Sequence, residues 1–233
     1  MEQHPTYKAH LAALDIALAL EMEKMKFTLL IGSFARGTGD LHSDVDVLRV
    51  GHTQSVMRPE NIDWRLPMSY VDYDSESFSK LYDEGSLFLY HALFEGKLIS
   101  GDEIKWRKLK KHFIISSDFR NSILEYLDVL TYIDEYPDYE NSYVPYLSNI
   151  FKCLKNVGIF KLASKKYYNF EKIAALKLGC GLTDSVARTL ILANAVFERS
   201  TPISTQLMNN FQNSATEWRF RLRDQIGGLA HDI

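Results

Sequence analysis

The chain has 233 residues, of which 46% are apolar and 24% charged, and carries a net charge of −3. That is the make-up of an ordinary globular protein, large enough for one big domain or two small ones. It gives no global electrostatic case for a nucleic-acid or membrane surface, and no run of about 20 apolar residues argues for a membrane span.

Residues 7–25 are expected to form an amphipathic helix, with Leu11, Leu14, Ile16, Leu18 and Leu20 supplying its apolar content. His10, Asp15, Glu21 and Glu23 interrupt the apolar run that a secretory leader would need. A strand follows over Phe27-Thr28-Leu29-Leu30-Ile31, ending at the turn Gly32-Ser33. A second strand over 44–50 carries Asp44 and Asp46. Side chains two apart on a strand point the same way, so the two carboxylates face one point. Like charges repel, but a hard divalent cation neutralises both. A Gly-Ser bend lets backbone N–H groups approach an anion, and a helix starting there would reinforce the attraction. A cation beside an anion cradle suits a nucleoside triphosphate. Two other readings fit poorly. An EF-hand loop needs oxygen ligands at alternating positions, then Gly and a distant Glu, but the segment after Asp46 turns apolar where they should stand; a P-loop needs Gly-Lys-Ser/Thr before its helix.

The segment Gly32-Ser33-Phe34-Ala35-Arg36-Gly37, followed by Asp44-Val45-Asp46-Val47, resembles the motif of the DNA polymerase β-like nucleotidyltransferase superfamily. It is closest to the minimal and kanamycin-nucleotidyltransferase-like bacterial enzymes. The resemblance covers roughly residues 25–100. It implies an α+β fold: a small mixed β-sheet head with flanking helices at 1–102, then an all-α helical bundle at 103–233 on the substrate side. It further implies that Gly32 and Ser33, with Arg36, hold the triphosphate, that Ser43 hydrogen-bonds the turn beside it, and that Asp44 and Asp46 bind two Mg²⁺ ions, for which Mn²⁺ can substitute. Arg36 is equally readable as a salt bridge that organises the loop. In such families a third carboxylate on a neighbouring strand completes the site. Tyr70-Val71-Asp72-Tyr73-Asp74 offers two acids of one parity on an expected strand over 68–73. Asp72 is favoured as base or metal ligand, Asp74 is the alternative or else the cap of the next helix, and Asp63 is a weaker choice.

A helix from Ser75 is expected to break at Gly85. A second, over Leu87-Phe88-Leu89 and Ala92-Leu93, stops at Gly96 before a closing strand. From Glu103 onward the pattern is helical only. Helices are expected to about Tyr132, capped by Ser117 or Asp118; over 143–164, broken or displaced near Gly158; from Asn169 to Gly179; from Thr183 or Asp184; and from Pro202 or Ser204 to a stop at Gly227-Gly228. Cys153 and Cys180 lie in apolar helical patterns and read as buried thiols of a reducing, cytoplasmic compartment, and no Cys/His grouping has zinc spacing.

Three basic clusters, Lys105 to His112, Lys152 to Lys166 and Arg219 to Arg223, are either solvated helix faces or a track for a phosphate-rich acceptor. Arg223 and His231 have seven residues between them, wider than the Arg–His spacing of the helical RNases that accompany some nucleotidyltransferases, so no RNase is expected. The resemblance implies transfer of a nucleoside monophosphate from an NTP or dNTP to an acceptor hydroxyl with release of pyrophosphate. Template-independent action on a nucleotide, oligonucleotide or tRNA end, in a bacterial stress or phage-defence system with a partner protein, ranks first. Modification of a protein hydroxyl ranks second, and a small molecule such as an aminoglycoside third, because no acidic cluster in the helical half awaits a polycation. The opposed class is a non-catalytic nucleotide-binding partner protein, whose hallmark would be a missing third acid.

Overall fold

A computed structural model describes residues 26–39, 43–51, 67–135, 143–199 and 202–231. The expected helix over 7–25 and the segment with Asp63 lie outside these residues. The chain is α+β and forms two compact units, dividing between Ser116 and Ser117.

The first unit is built on a four-stranded mixed sheet of order β3-β2-β1-β4, with β1 at Phe27–Ile31, β2 at Val45–Val50, β3 at Met68–Tyr73 and β4 at Lys97–Ser100. β1 runs antiparallel to both β2 and β4, and β2 runs parallel to β3. Alternation sorts the side chains onto two faces. On one face Phe27, Leu29 and Ile31 stand beside Val50, Leu48 and Asp46. Three helices cover that face: α2 (Ser75–Asp83), α3 (Leu87–Phe94) and α4 (Glu103–His112). Their Phe78, Tyr82, Leu89, Leu93, Trp106 and Leu109 form one core with the sheet. Phe27 is the hub, with its ring edge-on to Phe78 at 5.2 Å and 5.6 Å from Trp106. Asp74 caps α2 by accepting from the Ser77 amide, and Asp102 caps α4 by accepting from Ile104 and Lys105. Trp106 and Leu109 bury α4 in this core, and the first unit extends to Ser116, the far end of the interval around 100–116 in which the boundary is expected.

The second unit is helical: α5 (Arg120–Glu135), α6 (Tyr143–Ser164), the short α7 (Lys172–Ala174) continuing as a π-helical turn (Ala175–Gly179), α8 (Asp184–Arg199) and α9 (Thr205–His231). Its core centres on α6, which contributes Tyr146, Leu147, Ile150, Phe151, Leu154 and Val157. Gly158 does not break this helix. A Cβ there would collide with the carbonyl of Ala175, so its bare backbone lets the π-helical turn press against α6. Gly227-Gly228 does not end the last helix either. Leu229 is buried in the core, and the buried Lys161 ammonium donates to the Leu229 carbonyl at 3.3 Å. A cation at a helix C-terminus satisfies its last carbonyls and its dipole, and this anchor carries α9 past the glycine pair. No described helix is long and apolar enough to cross a membrane.

Candidate functional site

The site lies where β1 ends and β2 and β3 begin. β1 passes directly into a single helical turn, α1 (Gly32–Arg36), closed by Gly37 in the left-handed region with φ 76°. Gly32 has φ 71°, a backbone that L side chains rarely adopt. A Cβ on Gly32 would also collide with the Asp46 carboxylate. The glycine therefore lets the bend and the acid touch. Asp46 stands beside Ile31 on the helix-covered face and is half-buried. Asp44 shares its parity, immediately precedes β2 and is exposed. Ser43 is half-buried just ahead of it, and the Ser33 carbonyl accepts from the Thr38 amide at 2.9 Å.

Two residues assigned to nucleotide binding have other occupations. The Gly32 amide, expected to face an anion, donates instead to His91 Nε2 at 3.2 Å. An imidazole that accepts at Nε2 carries its proton on Nδ1, which lies 2.8 Å from Glu95 Oε2. The Arg36 guanidinium donates to the same oxygen at 3.2 Å. Of the two readings of Arg36, the salt bridge that organises the loop is the one seen. A chain of contacts thus runs from Gly32 through His91 and Glu95 to Arg36 and straps the bend to α3. Burial alone would raise the Glu95 pKa, but hydrogen bonds from His91, then Arg36, and the charge of the Arg36 guanidinium outweigh it and bring the carboxyl below 4.5. His91 and Glu95 carried a signal in the sequence: an acid and a histidine four apart on a helix that is otherwise almost wholly apolar.

Asp72 does not join Asp44 and Asp46. In the parallel pairing of β2 with β3, Asp72 stands beside Arg49, and Arg49 points to the face opposite Asp46. The side chains agree, because Arg49 donates through Nε and Nη2 to both carboxylate oxygens of Asp72, each at 2.5 Å, with its guanidinium 4.5 Å above the Tyr70 ring. Asp74, of the same parity, is the cap of α2. The residue paired with Asp46 on β3 is Ser69. Among the described residues no group of three His, Cys, Asp or Glu side chains is placed to hold a metal. Asp44 and Asp46, with Gly32 admitting the approach, fit one hard divalent cation. Among the described residues no third carboxylate joins them, and Asp63 lies outside those residues.

The basic clusters are largely engaged locally. Arg107 pairs with Glu103, Lys152 with Glu198 and Arg221 with Glu217, while Lys110 lies over Trp106 and Lys161 is buried beneath α9. Both cysteines are buried and free; desolvation pushes the Cys153 thiol up to about 11 and Cys180 up to about 12.

No protein-family model matches this chain, and no curated protein is significantly similar to it.

Proposed function

We propose that the first unit is a nucleotidyltransferase-type head that binds a nucleoside triphosphate with a divalent cation. The observation that carries this reading is the contact between the Gly32 bend and the Asp46 carboxylate, with Asp44 two residues away. Asp44 and Asp46 would hold the cation, which when bound offsets the charge of the phosphates. Ser33, beside the bend, offers its hydroxyl to the same phosphates. Transfer would join an acceptor oxygen to the α-phosphorus as the α–β anhydride bond breaks. Pyrophosphate leaves with the bonding pair and the acceptor proton passes to water. A nucleotide or nucleic-acid end ranks first as acceptor, within a defence or stress system, and a protein hydroxyl second.

A second reading, nucleotide binding without transfer, is favoured by Ser69 beside Asp46. The test is incubation with each α-labelled NTP and dNTP and Mg²⁺, scoring retained nucleotide and labelled product separately. Asp46→Asn should abolish both signals. Asp72→Asn should leave both intact and lower stability by no more than about 1 kcal/mol, as expected for a pair with one exposed partner. Loss of binding in Asp72→Asn alone would overturn this assignment of the site.

A further inference from the structure

The strand register decides how many cations this head can hold. Asp46 and Ser69 are paired neighbours on β2 and β3 and point to the same face. Among the described β3 positions, 69 is the one directly beside Asp46, so a carboxylate there would converge with it. The acid that the chain does carry three residues later, Asp72, is displaced by an odd number of positions and is clamped by Arg49 on the other face. A one-residue change of register would exchange the faces, but the bidentate Arg49–Asp72 contact and the shared core of Leu48, Val50, Val71 and Tyr73 both fix the pairing observed. The triphosphate brings anionic oxygens of its own for one divalent cation shared with Asp44 and Asp46; a second ion on the acceptor side, about 3.5–4 Å away and off the phosphates, would need a further protein carboxylate.

We infer that Ser69 occupies the third-carboxylate position and limits the head to a single divalent ion, so that it retains nucleotide far better than it transfers it. This rests on the nucleotide-binding reading above. It also makes position 69 the place where transfer activity can be raised. Ser69 is half-buried near the start of β3, the edge strand of the sheet.

The experiment counts Mn²⁺ by electron paramagnetic resonance, using the full chain and α,β-methylene-ATP, which cannot release pyrophosphate. Wild type should bind one Mn²⁺ per protein–nucleotide complex with an uncoupled spectrum. Ser69→Asp should bind a second, with spin coupling between neighbouring ions and affinity for that ion at least about tenfold above wild type, since ligand charge sets cation affinity. Ser69→Asn, similar in size but uncharged, should stay at one. Thermal unfolding with and without Mn²⁺ checks that each variant is folded, and Ser69→Asp should gain more from the ion than wild type does. Two coupled ions in wild type would overturn the inference while leaving the nucleotide-binding reading standing. A folded Ser69→Asp that stays at one ion would also overturn it. No Mn²⁺ or nucleotide bound by wild type would instead overturn the nucleotide-binding reading itself.

Discussion

Gly32 meets two demands at one position: a positive φ of 71° and passage of a carboxylate against its Cα. Gly32→Ala confronts both. The left-handed backbone alone costs an L residue about 1–2 kcal/mol, and the methyl group must push Asp46 away. The expected result is a lower urea midpoint together with loss of divalent-cation affinity. Unchanged cation binding would show that the contact with Asp46 is dispensable. The same neighbourhood shows what sequence spacing could reveal. Asp44 and Asp46 lie on one strand and share a parity that can be counted. Asp46 and Ser69 lie on different strands, and their pairing depends on the register between β2 and β3. Parity within Tyr70-Val71-Asp72-Tyr73-Asp74 groups Asp72 with Asp74 but carries no information on which sheet face they share, and the outcome placed Asp72 against Arg49.

At the scale of elements, the bend between β1 and β2 is held to α3 by the sequence of contacts from Gly32 through His91 and Glu95 to Arg36. His91 is buried, so its loss would leave the Gly32 amide without its acceptor, at a cost of about 1–3 kcal/mol. Glu95 ties this strap to pH. Its carboxyl titrates lower in the folded chain than its ordinary value of 4.5, so the folded state binds fewer protons than the unfolded one in that range. The stabilisation is fully present above pH 4.5 and is lost as pH falls through the lowered value. Denaturant unfolding of wild type and Glu95→Gln should therefore differ by a constant amount from neutrality to about pH 4.5 and converge below it. A gap that widens with acid would mean that Glu95 is not the anion of the strap.

For the whole molecule, the two units have separate cores, one around Phe27 and one around α6. The second depends on close backbone approach at Gly158 and on the buried Lys161 beneath the end of α9. Its thiols serve that packing. With Cys153 pushed up to about 11 and Cys180 to about 12, both stay protonated at neutral pH, and Cys180 donates to the Leu154 carbonyl at 3.1 Å. Iodoacetamide at pH 7.5 should leave both unmodified in the folded chain and alkylate both in denaturant. Rapid labelling of either in the native protein would contradict this core.

Local patterning determined the three strands at 27–31, 44–50 and 68–73 to within a residue, the helices of the second half, and the pairing of a glycine bend with two acids. Each is set by periodicity, capping groups and turn residues that act over a few positions. The tertiary structure alone decided what lies between elements. It set the register that gives Ser69, not Asp72, to Asp46. It turned the Gly32 amide and Arg36 inward to His91 and Glu95. It buried α4 with the sheet, and it carried α9 through two glycines onto Lys161. These outcomes depend on contacts between residues roughly 20 to 80 positions apart, whose pairing is fixed only when apolar faces and polar partners are satisfied together across the folded chain.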